Sequence, residues 1–286
     1  MKKSLLLFLS ILFIISFSAY AKTAEDFIEA GNIKYYTNDD TKGAIEDYNK
    51  AIKIDSKNAT AYALRANANR FLKNYKKALK DCKTALKIDP DNIVALVTRG
   101  RIFDAQKKSG EKDFKSASLL VPKNALEFRT RGFAKAALKD YAGAIKDYSK
   151  AIELNPKFLW AYTNRGNAKD DLGDYTGAIK DYNKAIELNP KHAMAYYNRG
   201  NAKSILGNHT GAIKDHSKAI ELNPEHTEAY YNRGVVKFKF GDYTGAIKDW
   251  SKAIELDPKL AVVYYNRGIA KYNLGDYTAA VPQLHI

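Results

Sequence analysis

AYTNRGNAKDDLGDYTGAIKDYNKAIELNP, residues Ala161–Pro190, recurs almost letter for letter three more times, and its reading decides the fold. Tyr162 is matched by Tyr196, Tyr230 and Tyr264, and Pro156, Pro190, Pro224 and Pro258 keep the same 34-residue step. A fixed period in this range marks a solenoid, whose units bury their apolar faces only by stacking on their neighbours.

Within the unit, Tyr162, Gly166, Lys169 and Leu172 recur at helical spacing, so Trp160 to Leu172 reads as a first helix that Gly173-Asp174 breaks. Thr176 is the expected N-cap of a second helix over Gly177 to Leu188, with Ala178, Ile179, Tyr182, Ala185 and Ile186 as its apolar face. Asn189-Pro190 ends it, because the residue before a proline is pushed out of the helical region. The small side chains at Gly166, Ala178 and Ala185 let the two helices approach closely. With Tyr162, Gly166, Tyr175, Ala178, Ala185 and Pro190 in this 34-residue helix-turn-helix, the chain resembles the tetratricopeptide repeat family. The resemblance implies an all-α fold, a right-handed α-solenoid superhelix of stacked helix-turn-helix repeats that binds proteins or peptides and is not an enzyme.

The solenoid is expected over residues 22–286 as about 7.5 repeats: 25–58, 59–92, 93–124, 125–158, 159–192, 193–226, 227–260 and an incomplete 261–286. The third is degenerate: its turn Lys107–Gly110 is two residues short, and Glu111 and Ser118 replace apolar residues, which makes it the expected weak point or bend. The eighth lacks a polar capping helix, with Pro282 interrupting its second helix, so its end is expected to meet a partner or to be truncated.

Before the repeats, Lys2 and Lys3, an apolar run from Leu5 to Phe17, and Ala19-Tyr20-Ala21 have the layout of a signal peptide of bacterial style, residues 1–21, cleaved after Ala21. That pattern predicts an exported protein, periplasmic or secreted, with no membrane span once the signal is removed. The apolar run is short for crossing a bilayer.

The chain carries a formal charge of +15. Much of it is periodic, in Lys146/Lys150, Lys180/Lys184, Lys214/Lys218 and Lys248/Lys252 on the second helices. Such a stripe either keeps the outer face solvated or attracts an anionic partner; nucleic acid is not expected, because the lysines lack interleaved aromatics. The single cysteine, Cys82, excludes an internal disulfide and occupies the slot of Tyr48, Phe114, Tyr148, Tyr182, His216 and Trp250, so it reads as core. His192, His209, His216, His226 and His285 have no metal-ligand spacing, and no nucleophile elbow or phosphate-cradling loop occurs. No enzyme activity, cofactor or metal is expected.

Arginine and aspartate recur together. Pairing each Asp with the Arg of the following unit gives a constant separation of 18 residues, whereas pairing within a unit gives 16 but 14 in the third. This predicts inter-repeat ion pairs Asp47–Arg65, Asp81–Arg99, Asp113–Arg131, Asp147–Arg165, Asp181–Arg199, Asp215–Arg233 and Asp249–Arg267.

On the first helix, the stripe opposite Tyr162 and Gly166 should line an inner groove. Asn164, Asn198, Asn232 and Asn266, with Asn167 and Asn201, should form a row of amides that suits an extended peptide backbone, since each amide both donates and accepts. Trp160, Tyr197, Tyr231, Tyr265 and Phe238 should add apolar area beside it. Family members that clamp a terminal carboxylate combine such an asparagine with several cations. Here those positions hold Thr163, Met194, Tyr197 and Glu228, with only Arg129 basic, so that mode is not expected. Two functions follow: a binding scaffold of the bacterial envelope that holds a protein or peptide segment in the groove, or an architectural protein that self-associates through its C-terminal end or attaches to an anionic envelope component through its lysines.

Overall fold

A computed structural model describes residues 22–37 and 40–277. Fifteen helices occur among the described residues, with no strand: α1 (Ala24–Tyr36), α2 (Thr41–Ile54), α3 (Ala59–Phe71), α4 (Tyr75–Ile88), α5 (Ile93–Ala105), α6 (Glu111–Leu119), α7 (Ala125–Ala137), α8 (Tyr141–Leu154), α9 (Leu159–Asp171), α10 (Tyr175–Leu188), α11 (Ala193–Ile205), α12 (His209–Leu222), α13 (Thr227–Lys239), α14 (Tyr243–Leu256) and α15 (Ala261–Asn273). The expected all-α repeat stack is therefore present. The signal-peptide segment 1–21 and Pro282 lie outside the described residues.

Two compact units divide the chain, one ending at Asp113 and one beginning at Phe114, so the division falls inside α6 of the degenerate repeat. In the first unit α1 packs on α2 and α3 on α4; in the second α7 packs on α8, α9 on α10, α11 on α12 and α13 on α14.

The turn of the α9–α10 pair is built by one residue acting twice. Gly173 takes φ +79°, the left-handed conformation that ends α9. The N–H of Asp174 then donates to the Lys169 carbonyl at 2.8 Å, while its Oδ1 accepts from the Gly177 N–H at 2.8 Å. Asp174, not Thr176, is thus the N-cap, and the second helix starts at Tyr175, two residues earlier than the sequence suggests. A carboxylate directly after a left-handed glycine outcompetes a threonine two residues further on.

The core of five repeats is an aromatic ring seated on a glycine. Tyr182 of α10 is buried, and a Cβ added to Gly166 would stand 2.6 Å from its ring, so only glycine admits the contact. Tyr148 on Gly132 and Trp250 on Gly234 repeat it. Buried Cys82 packs instead with Ala66, the residue at the glycine's place, so a smaller filler is matched by a larger opposite residue. Burial pushes the Cys82 thiol up to about 12, consistent with the expected core role.

The ion pairs differ from the expected ladder. Six arginines bind the aspartate of their own repeat through two parallel bonds: Arg165 Nε and Nη2 reach Asp181 Oδ2 and Oδ1 at 2.9 and 2.7 Å. Arg65–Asp81, Arg131–Asp147, Arg199–Asp215 and Arg233–Asp249 are alike, and so is Arg99–Asp113 across the shortened turn. Asp81, Asp113, Asp147, Asp181, Asp215 and Asp249 are thus held by the arginine of their own repeat rather than by that of the next, and Asp47 binds Lys34 at 2.6 Å and Lys50 at 3.0 Å. Burial alone would raise the Asp47 pKa, but hydrogen bonds from these two lysines outweigh it and leave the carboxyl below its ordinary range. The constant separation of 18 reflects only an unshortened loop between repeats. The contact that seats Tyr182 on Gly166 is what brings their chain neighbours Asp181 and Arg165 together.

A link between repeats does exist, through the third guanidinium nitrogen. Nη1 of Arg165 donates to Ser149 Oγ at 3.0 Å on α8, and Arg199, Arg233 and Arg267 reach Asn183, Ser217 and Ser251 in the same way. In the first unit Arg65 Nη1 donates to Asn49 Oδ1 at 2.7 Å. The guanidinium stands over the ring three residues before it, with Arg165 5.7 Å from the Tyr162 centroid.

Candidate functional site: the face of the first helices

Along the second unit, α9, α11, α13 and α15 bring the asparagines into a bonded series rather than a row of separate amides. Asn198 Nδ2 donates to Asn167 Oδ1 at 2.8 Å, and Asn232 Nδ2 donates to Asn201 Oδ1 at 2.9 Å. Asn232 also donates to the Tyr197 hydroxyl at 3.1 Å, and Asn266 donates to the Tyr231 hydroxyl at 3.2 Å. Asn167 Oδ1 further accepts from the Tyr182 hydroxyl at 2.9 Å, tying the series to the core ring. Asn164 stands outside the series, because the places that Asn167 and Tyr197 take in later repeats are held here by Phe133 and Arg129.

This bonding fixes what the face can offer. Asn198 and Asn266 each spend one N–H on the neighbouring helix and keep a carbonyl oxygen and a second N–H for an incoming chain, whereas Asn232 spends both N–H groups and keeps its carbonyl oxygen. Asn198, Asn232 and Asn266 are half-buried and Asn167 is exposed, so these groups remain accessible.

The aromatic residues divide. Tyr265 is 50% exposed and available for contact. Tyr197 and Tyr231 use their hydroxyls in the amide series, and the Tyr231 carbonyl accepts from Trp250 Nε1 at 3.1 Å. Trp160 is half-buried, edge-on to His192 at 5.0 Å between centroids. Phe238 was expected in the groove but packs on Tyr243 at 5.1 Å and Trp250 at 5.8 Å, in the core of its own repeat. Its position four residues after Gly234 places it on the packed side of α13, a signal present in the sequence.

Two residues absent from the expected site belong to it. His192 and His226 sit at the N-termini of α11 and α13, His192 bonded to Thr163 Oγ1 at 3.2 Å and His226 tilted against Tyr197 with ring centroids 4.6 Å apart. Burial lowers the His226 pKa, with Glu228 opposing it. Their 34-residue spacing marked them as copies, and a position copied next to Trp160 and Tyr197 was the available clue. Arg129 is buried and stands 5.8 Å over the Phe158 ring, away from any carboxylate-clamp role. Among the described residues no group of three or more His, Cys, Asp or Glu could hold a metal ion, and no helix is long and apolar enough to cross a membrane.

Profiles described as TPR repeat match residues 31–69, 132–169, 171–204 and 236–275, and one described as tetratricopeptide repeat matches 59–92 and 193–226. The chain belongs to the tetratricopeptide repeat family. It is 36% identical over 123 residues to small glutamine-rich tetratricopeptide repeat-containing protein 2 of Saccharomyces cerevisiae, covering 43% of this chain and 34% of that protein. It is 34% identical over 84 residues to the Hsp70/Hsp90 co-chaperone CNS1 of the same yeast, covering 28% of this chain and 22% of that one. The chain thus spans about a third or less of the length of these two relatives. Among solved structures, that of MamA protein superposes with TM-score 0.54 at 28% identity over 56% of this chain and 88% of that one. The Cut9 and Hcn1 assembly superposes with TM-score 0.65 over 86% of this chain and 52% of that one, at 14% identity, a likeness of fold alone. The tetratricopeptide repeats described above are a protein-binding scaffold, not an enzyme.

Proposed function

We propose that the face formed by α9, α11, α13 and α15 holds an extended segment of a protein partner, and that the protein does so outside the cytoplasm, in the bacterial envelope. The observation that carries the binding reading is the set of hydrogen-bonded amides from Asn167 to Asn266, which leaves free carbonyl oxygens on Asn198, Asn232 and Asn266 in successive repeats and one free N–H each on Asn198 and Asn266. An extended backbone presents donors and acceptors at regular intervals, so such a series binds it with little regard to its side chains. Tyr265 supplies the exposed aromatic contact. The location rests on the Lys2-Lys3, apolar-run and Ala19-Tyr20-Ala21 pattern of residues 1–21.

A displayed library of random unstructured peptides, selected on residues 22–286, provides ligands for calorimetry. Replacing Asn198 and Asn232 together by alanine is expected to weaken binding by about 1–3 kcal/mol. Because those amides also join repeats, Tyr265→Ala is the companion variant: it should weaken binding while leaving the unfolding midpoint unchanged. Unaltered affinity in both variants moves the site off this face. For the location, mass spectrometry of protein recovered from the envelope should begin at Lys22, and a retained Met1 refutes export by cleavage.

A further inference from the structure

We propose that the opposite face of the second unit, formed by its second helices α8, α10, α12 and α14, binds a linear phosphate polymer along the row Lys146, Lys180, Lys214 and Lys248. This inference is independent of the peptide-binding reading and uses a different surface.

The row stands out because the neighbouring charges are spent. In the α9–α10 repeat, Arg165 and Lys169 share the Asp181 carboxylate at 2.7 and 2.8 Å, and Lys184 pairs with Glu187 at 2.6 Å. Asp181 and Glu187 are the only carboxylates of α10. Lys180 is exposed and has no carboxylate partner. The arrangement recurs around Lys214, with Asp215 taken by Arg199 and Lys203 and Lys218 on Glu221, and around Lys248, with Asp249 taken by Arg233 and Lys237 and Lys252 on Glu255. Around Lys146, Asp147 is taken by Arg131 and Lys135, and Lys150 pairs with Glu153. Each second helix therefore carries one uncompensated cation, at the same place on each.

The chemistry of the face selects the occupant. From Lys146 to Glu153, and in the copies of that stretch, no large apolar side chain is exposed. Protein interfaces depend on buried aromatic or apolar anchors, which these stretches lack. The row is one cation wide, since the lysines four residues on are neutralised, and that shape fits a single chain better than the broad charge of a lipid surface. An ammonium group binds phosphate as a point charge without demanding a fixed geometry, which suits a flexible polymer. Beside the row lies a depression of about 380 Å³ lined by Tyr196, Arg199, Lys214, Asp215, Ser217, Lys218 and Glu221, whose two carboxylates are both held in ion pairs.

The test uses residues 22–286 and end-labelled, long-chain inorganic polyphosphate, followed by fluorescence anisotropy. Replacing Lys146, Lys180, Lys214 and Lys248 by glutamine should weaken binding at least about tenfold at low salt and reduce the slope of log affinity against log salt by about 3, one counterion-release increment per lysine. A second variant with Lys139, Lys157, Lys191 and Lys259 changed to glutamine alters net charge equally but lies off the row; it should stay within about threefold of the parent. The pair K180Q/K214Q gives an intermediate loss and serves if the quadruple variant loses helicity. Equal weakening in both quadruple variants reduces the effect to net charge and overturns the proposal. So does binding of tripolyphosphate as tight as that of the long chain, or a preference for anionic phospholipid vesicles or polyglutamate over polyphosphate.

Discussion

His216 packs against Gly200 so closely that a Cβ on the glycine would stand 2.8 Å from the imidazole ring. In the same slot of other repeats the filler's polar tip finds a partner: Tyr48 donates to Asn32, Tyr182 to Asn167, and Trp250 to the Tyr231 carbonyl. The His216 ring is shorter, is fully buried, and neither of its nitrogens is hydrogen-bonded. Burial lowers its pKa from 6.5 to about 4, with Asp215 and Asp249 opposing and Arg233 and His226 reinforcing the shift.

A depressed histidine pKa favours the folded state above the unfolded value and withdraws that support as pH falls towards the folded one. Between about pH 7 and pH 4.5, the second unit should therefore lose about 2–3 kcal/mol through His216. His216→Tyr places a hydroxyl within reach of Asn201, as Tyr182 does with Asn167, and should remove most of this acid sensitivity. Urea unfolding of both proteins at the two pH values measures it; equal pH dependence refutes it.

The arginine pairing yields a sharper test. A double-mutant cycle on Arg199 and Asp215, within one repeat, should show a coupling energy above about 1 kcal/mol, while Arg199 and Asp181 should show close to zero. Asp215→Ala alone should cost about 3–5 kcal/mol, because it strands a partly buried guanidinium. Ser217→Ala, which removes one neutral acceptor of Arg233, should cost about 1 kcal/mol or less.

Lys73, Lys107 and Lys139 adopt φ near +60° where Gly173, Gly207, Gly241 and Gly275 stand in later repeats. A side chain in that region is strained, so Lys139→Gly should stabilise by about 1 kcal/mol and Gly207→Lys should destabilise by a similar amount. Thermal melts of the two variants should move in opposite directions.

Cys82, with its pKa raised to about 12 by burial, should resist iodoacetamide at neutral pH until the protein opens. Its labelling rate across a urea series should follow unfolding of the first unit; fast labelling of the native chain would place it at the surface.

The period, the two helices per repeat, the degenerate third unit and the core role of Cys82 were legible in the sequence because each follows from composition at fixed spacing. The pairing of Arg165 was not. Separation along the chain reports loop length, whereas the contact is set by how Tyr182 meets Gly166 across the helix pair. Asn198 was legible as an inner-face residue, yet its bond to Asn167 depends on the stagger between successive first helices, which no single repeat reveals. Phe238 was misassigned because the copied frame drew attention away from its i, i+4 relation to Gly234.

Arg165 reaches Ser149, 16 residues before it, and Asp181, 16 residues after it. Because both offsets are the same in every regular repeat, a 34-residue excision such as 166–199 would hand Arg165 a new aspartate, Asp215, at the same distance along the chain. The gene could therefore gain or lose whole repeats by recombination and leave the arginine at the junction matched to an aspartate. Length becomes a freely heritable variable in this fold, and surface residues such as Lys180 are multiplied along with it.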